Sequence, residues 1–311
     1  MFDFVSIVFD NDIEISQIFL QIHSFKFVDI NIINNIYILF NDKEEKNIKF
    51  KETFNKNIVK FCPVNLIDKL KIIFISDLIN LKEKDYMSDW FTQQFVKLYV
   101  SKIISSEYYI VLDSKNNFIK NVNKETFISQ NKLIMYYEHH CPELITYYDN
   151  CFSYFNLSDN KDDYNPYILS SYVQTTTPYI FITKECQNMI SYVENKEGKD
   201  FYDFFIYSKK YTEFFFYFAW LCFVNKNNDQ YIYLNETIDN VIIGPHDISI
   251  YWWNRWDYKE SILNSRNPTT FSMSSKSIKY LDESYKENIK NFYKKIYDND
   301  IVNEKIIEML F

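Results

Sequence analysis

Apolar runs alternate with helical stretches through the first 120 residues, and this alternation limits the fold more than any other feature of the chain. Phe4–Phe9 (FVSIVF) reads as a strand and runs into Asp10-Asn11-Asp12. Ile13–Phe25 has apolar residues at helical spacing, with Asp12 the expected N-cap. Ile36–Phe40 and Ile72–Ile75 read as strands, the second ending at Ser76-Asp77. Trp90–Lys102 reads as a helix, with Phe91, Phe95 and Leu98 on one stripe and Gln93, Gln94 and Lys97 on another. Tyr108–Leu112 is the next strand, and it stops abruptly at Asp113-Ser114-Lys115-Asn116-Asn117. Strands and helices in this order indicate a Rossmann-type α/β sheet flanked by helices. Ligands of such sheets bind beyond the carboxyl ends of the strands. An acidic residue there, with a lysine two positions on, is where a phosphorylated ligand would be held.

Composition narrows the ligand. Gly198 and Gly244 are the only glycines, which excludes a Walker loop and a GxGxxG dinucleotide fingerprint, since both need several glycines close together. Asn residues are expected to take over turn positions, because Asn tolerates left-handed backbone angles. A net charge of −8 argues against a basic duplex-binding surface, so no nucleic-acid partner is expected. The five cysteines are scattered without a CxxC and read as reduced thiols of a cytoplasmic protein. No signal peptide is evident, and the apolar stretch Phe214–Val224 is too short to span a bilayer. These features favour a cytoplasmic protein without a transmembrane segment, with peripheral association at the inner face of a membrane left open.

The second half is less regular. Glu143–Leu157 is rich in Tyr and Phe, and Ser158–Asn165 is a polar loop. Thr177-Pro178 precedes a strand, Tyr179–Thr183, and a helix to about Glu194. Lys209–Phe223 holds a helix apolar nearly all round and therefore buried. Short strands follow near Gln230–Leu234, Asn240–Ile243 and Ile248–Trp253. Asp282–Tyr297 and Ile301–Leu310 read as two amphipathic C-terminal helices. With no repeat and no Pro/Gly linker, one domain over 1–311 is expected. It would comprise a nucleotide-binding half (about 1–125), an acceptor-side half (about 126–280) and closing helices (281–311).

Several segments, taken in order, resemble the bacterial DUF6492-type family of GT-A-like glycosyltransferases. They are the opening strand ending Phe9-Asp10, the stretch Ser88-Asp89-Trp90-Phe91-Thr92-Gln93-Gln94-Phe95-Val96-Lys97-Leu98, and Leu112-Asp113-Ser114-Lys115-Asn116-Asn117-Phe118. Thr177-Pro178-Tyr179 and Tyr211-Thr212-Glu213-Phe214-Phe215 complete the set, which covers roughly residues 1–280. The resemblance implies a GT-A-like mixed sheet. It also implies transfer of a sugar from a nucleoside-diphosphate sugar to a glycan or lipid-linked glycan in surface polysaccharide or lipo-oligosaccharide synthesis. Transfer of another activated group onto a glycan, and non-catalytic glycan binding or assembly, are the alternatives.

The resemblance also assigns residues. GT-A enzymes commonly carry Asp-x-Asp at this strand end to hold Mn²⁺ or Mg²⁺, but Lys115 stands where the second acid would be. The expected site is therefore metal-independent, with Lys115 and Lys276 neutralising the leaving diphosphate; a metal held through Asp113 is the alternative. Asp113 would position the donor sugar or ribose, with Ser114 and Asn116 beside it, and Asp10 and Asn11 the nucleoside. Asp77 has a weaker claim of the same kind. Gln93, Gln94 and Lys97 are expected near the donor sugar, although such a stripe is otherwise the solvated face of a helix. Glu213 is the expected general base of an inverting reaction, against a plainer reading as a helix-start acid. Thr177 and Tyr179 are expected on the acceptor side. His139-His140-Cys141 lacks a partner pair at zinc spacing and is not read as a metal site. Trp252, Trp253 and Trp256 read as core more than as sugar-stacking residues.

Overall fold

The computed structural model describes residues 1–9, 11–41, 47–79, 90–136, 144–157, 173–224, 230–234, 237–238, 241–242, 247–250, 269–273, 278, 281–297 and 301–310. The elements run in the order β1 (Phe2–Phe9), α1 (Asp12–Ser24), β2 (Ile33–Asn41), α2 (Asn47–Phe61), β3 (Leu70–Phe74), α3 (Ile75–Leu78), α4 (Trp90–Tyr99), β4 (Tyr108–Asp113) and β5 (Asn116–Phe118). There follow β6 (Ile128–Ser129), β7 (Lys132–Tyr136), α5 (Ile145–Tyr154), β8 (Tyr179–Ile182), α6 (Thr183–Glu197), α7 (Phe201–Ser208) and α8 (Glu213–Val224). The chain ends with β9 (Tyr231–Leu234), β10 (Thr237–Ile238), β11 (Val241–Ile242), β12 (Asp247–Ile250), β13 (Thr270–Met273), α9 (Glu283–Ile296) and α10 (Ile301–Leu310).

The principal sheet has the strand order β3-β2-β1-β4-β8. It is mixed: β2 and β3 are parallel, with Ile38 opposite Ile72, whereas β4 and β8 are antiparallel, with Ile110 opposite Ile180. Central strands buried on both faces read as near-continuous apolar runs, and β1 and β4 do so. Two compact units are each assembled from separate stretches of chain. One comprises Met1–Asp3, Leu81–Val111 and Glu125–Gly244; the other comprises Phe4–Asn80, Leu112–Lys124 and Pro245–Phe311.

The second of these units holds β2 and β3, most of β1, and helix α1 packed against α2 and α10. Its smaller sheet has the order β12-β13-β5, in which β13 runs antiparallel to β5 and pairs Ser272 with Asn116. The first unit holds α4 to α8 and the β6-β7-β9 sheet around an aromatic core. Helix α8 is apolar on every side, and Phe215, Phe216, Tyr217 and Ala219 are fully buried. Among the described residues no helix is long and apolar enough to cross a membrane.

Two local expectations change. The N-cap of α1 is Asn11, whose side chain accepts from Glu14 N; Asp12 lies one position inside, in the first turn. Ser76 and Asp77 are not loop residues beyond a strand but part of the short helix α3. Asn131 and Asn156 do take left-handed angles, yet Gln130 and Lys209 do so as well. Gly198 ends α6 at φ 65°, where its N–H bonds back to Glu194 O and a β-carbon would be strained.

Candidate functional site

The candidate donor site lies at the end of β4, within the unit that contains α1. A two-residue turn, Ser114-Lys115, links β4 to β5. Asn116 Oδ1 accepts from Asp113 N at 2.6 Å, and Asn116 Nδ2 donates to Ser272 Oγ at 2.7 Å. Gln21, on α1, donates through Nε2 to the carbonyls of Asp113 (2.6 Å) and Asn116 (2.9 Å). Its Oε1 accepts from Ser6 Oγ in β1. Asn117 Nδ2 donates to Lys115 O at 2.8 Å. Gln21, Asn116, Asn117 and Ser272 are all buried, so the turn stands on a closed layer of amide and hydroxyl groups. Such a network rigidifies what it carries, although among its atoms Asn117 Oδ1 has no partner among the described residues.

The two charged side chains of the turn are partly exposed. Lys115 Nζ lies 3.2 Å from Asp113 Oδ2, with the side chains 21% and 24% exposed. Helix α1 begins beside them. Glu14 N donates to Asn11 Oδ1 at 2.9 Å while Glu14 Oε2 accepts from Phe9 N at 3.2 Å, a variant of the capping box that ties the end of β1 to the first turn of α1. Burial pushes the Glu14 carboxyl above the usual carboxylate range, and the charge of Asp113 adds to the effect. The Phe9 N–H, the Asn11 side chain and the Lys115 ammonium act against it. Two carboxyl groups and one ammonium thus lie near a helix N-terminus, whose partial positive charge favours anions.

The other unit contains a second polar cluster, buried rather than open. Glu213 opens α8 and Lys97 lies on α4; their Nζ–Oε1 distance is 2.9 Å, with side chains 5% and 1% exposed for Lys97 and Glu213. Lys97 Nζ also sits 4.9 Å from the Phe214 ring centroid. The Gln94 amide, oriented with nitrogen toward the carboxylate, donates to Glu213, and its oxygen accepts from Trp90 Nε1 at 3.1 Å. Tyr109 OH donates to Lys97 O at 3.0 Å.

A family model described as "Family of unknown function (DUF6492)" matches residues 7–276. The chain belongs to the DUF6492 family. No curated protein matches it. Among solved structures, the WbbM bifunctional glycosyltransferase in its apo form aligns with a TM-score of 0.50 at 13% identity, over 96% of this chain and 52% of WbbM. The chain therefore spans about half the length of that protein. Mouse xyloside xylosyltransferase 1, apo form, gives a TM-score of 0.41 at 10% identity over 87% of this chain and 96% of its own. The galactosyltransferase LgtC, in complex with donor and acceptor sugar analogs, gives 0.42 at 9% identity over 87% and 86%. The likeness to WbbM is one of fold, and the fold of this DUF6492 chain is of the GT-A glycosyltransferase kind.

Several residues stand elsewhere than the sequence suggests. Gln94 and Lys97 are not a solvated or donor-facing stripe: at 3% and 4% exposure they serve Glu213 inside the unit, and only Gln93 of the three is half-buried. Glu213 is itself 1% exposed and is bonded by both. Asn116 and Ser114 are buried, and Asn116 shapes the turn instead of facing a ligand. Tyr179 is fully buried in β8, its ring 4.4 Å from that of Phe214, and Thr177 is buried as well; both belong to the packed interior rather than to an acceptor surface. Asn11 spends its side-chain oxygen on the helix cap. Asp77 is exposed on α3 after β3. Asp10, Lys276, His139, His140, Cys141, Trp252, Trp253 and Trp256 lie outside the described residues.

Glu14 and Gln21 are the residues that sequence reasoning misses. The spacing Asn11-x-x-Glu14 is a capping-box signal that points to the first; nothing marks Gln21 among the helix residues around it. A hard divalent cation, which GT-A enzymes commonly hold at this strand end, needs several converging oxygen ligands. Among the described residues no group of three or more His, Cys, Asp or Glu offers that arrangement. The Lys115 ammonium, moreover, already faces the Asp113 carboxylate. The described donors do not fit such an ion.

Proposed function

We propose that this chain is a glycosyltransferase that binds a nucleoside-diphosphate sugar at the end of β4 and transfers the sugar to a glycan or lipid-linked glycan. The role we assign it is in building a bacterial surface polysaccharide or lipo-oligosaccharide. The single observation that carries the reading is the partly exposed Asp113–Lys115 pair on a buried polar base, at the strand end where such sheets take their ligands. The GT-A type of fold supports the donor class.

In this mechanism the diphosphate lies against Lys115 and the first turn of α1. Lys115 turns from Asp113 toward the phosphate oxygens, where its charge offsets the negative charge that grows as the glycosidic bond to the diphosphate breaks. Asp113, released from the lysine, accepts hydrogen bonds from hydroxyl groups of the donor sugar or ribose. The clamp by Gln21 and Asn116 fixes the backbone of the turn before the donor arrives, so only the two charged side chains need to move. The base that takes the acceptor proton is not assigned to Glu213, because its carboxylate is engaged within its own unit.

A thermal-shift series tests the reading directly. Uridine and guanosine diphosphates should raise the melting temperature by mass action, equally with Mn²⁺ and with a chelator. The protein should also hydrolyse a matching nucleoside-diphosphate sugar slowly without acceptor, and Asp113→Ala or Lys115→Ala should abolish this. Tight glycan binding with no nucleotide binding would overturn the proposal, and binding that requires Mn²⁺ would overturn its metal-free form.

A further inference from the structure

A large indole stands open at the start of α4. Trp90 is 45% exposed, although it is among the most apolar side chains available. Its one polar atom is turned inward, where Nε1 donates to Gln94. Gln94 in turn donates to Glu213, and Glu213 is paired with Lys97. Gln94, Lys97 and Glu213 are all buried. A chain of buried polar groups, which is costly to desolvate, thus fixes the indole nitrogen of a ring that is 45% exposed.

The ring is not isolated. Phe91 meets it edge-on, with centroids 5.1 Å apart at 72°, and Tyr147 on α5 lies 5.8 Å away at 59°. Phe91 and Tyr147 are themselves 6.3 Å apart and half-buried. The three rings form a stepped wall, with Lys209 Nζ 5.9 Å from the Phe91 centroid at its margin. Such a wall suits a sugar ring, which has an apolar C–H face to lay on the indole and hydroxyl groups around its rim that a lysine can meet.

We propose that Trp90, with Phe91 and Tyr147, is a glycan-binding platform that seats one sugar ring. The proposal rests on the glycosyltransferase reading, and its test is separable from it. The full chain is labelled with 5-fluorotryptophan, and the Trp90 resonance is assigned by its loss in Trp90→Phe. Lactose, maltose and chitobiose are then titrated in without nucleotide. At least one should shift the Trp90 resonance saturably, with the other tryptophans moving less.

Saturation transfer from protein to that sugar should be lost in Trp90→Ala and partly kept in Trp90→Phe, which retains a flat face. Nucleoside-diphosphate binding should be unchanged in both variants. If no sugar moves Trp90 while nucleoside diphosphates still raise the melting temperature, the platform is refuted and the proposed activity stands. If neither sugar nor nucleotide binds, both fall. A Trp90 shift that follows protein concentration alone assigns the face to a second copy of this chain and overturns the proposal.

Discussion

Gln21 Nε2 donates to the carbonyls of both Asp113 and Asn116, at 2.6 and 2.9 Å, so a single amide on α1 sets the turn that presents Lys115. The same turn is bonded from its other side by Asn116 to Ser272 of β13. The charged residues of the site are thus held by neutral ones, and the two roles are separable by mutation. Gln21→Met keeps the volume but leaves two buried carbonyls without this donor. A loss of about 1–3 kcal/mol is expected, as for buried groups stripped of a partner. Urea denaturation measures it, and an unchanged midpoint would show that the clamp is not stabilising.

Lys115→Ala should act differently. The residue is partly open and its ion pair contributes little to stability. The urea midpoint should therefore move by less than about 1 kcal/mol. Nucleoside-diphosphate binding should weaken by at least about tenfold, the scale of one charge-assisted hydrogen bond of roughly 1.5–3 kcal/mol. Isothermal titration of the variant against the parent distinguishes this from a purely structural role, in which affinity would be retained.

The buried pair of the other unit makes a contrasting prediction. Lys97→Met leaves the Glu213 carboxylate without its cation in a closed site, and breaking such a pair costs about 3–5 kcal/mol. Adding Glu213→Leu removes the stranded charge, so the double variant should recover most of the loss. A double variant as unstable as the single one would mean that packing, not charge, explains the effect. Glu213→Gln should shift stability without altering the pH profile of donor hydrolysis. A catalytic base would instead carry a pH limb with it.

Much of the fold is legible in the chain because apolar periodicity survives its biased composition. The runs at Phe4–Phe9, Tyr108–Leu112 and Tyr179–Thr183 and the two C-terminal helices appear within a residue or two of where they are read. The place of Asp113 and Lys115 at a strand end is legible for the same reason, since they follow an unmistakable strand. What the sequence does not show is the buried pairing of polar side chains. Gln94, Lys97, Asn116 and Glu213 look like surface groups by type, but each has a buried partner far away in sequence, such as Glu213 for Lys97 or Ser272 for Asn116. Pairing across more than 100 residues leaves no periodic trace. The reading of Tyr179 fails for another reason: in a chain with 27 Tyr and 29 Phe, an aromatic at a motif is first of all a core residue.

The last prediction concerns pH and turns on Glu14. Burial, then the neighbouring Asp113 charge, raise its pKa in the folded protein above the ordinary value of 4.5. The folded state therefore binds this proton more tightly than the unfolded state does, and stability must fall as pH rises. The contribution is fully present below the unfolded pKa and is lost as pH climbs through the raised folded value. Glu14→Gln removes the titration while keeping an oxygen to accept from Phe9 N and sparing the ionised side chain its desolvation. Its stability should change less than the parent's between about pH 4.5 and neutrality, with the largest gain over the parent at the neutral end. Urea midpoints at several pH values measure both slopes. Parallel slopes would mean that Glu14 titrates alike in the folded and unfolded chain, and that the two carboxylates beside Lys115 do not share a desolvated site.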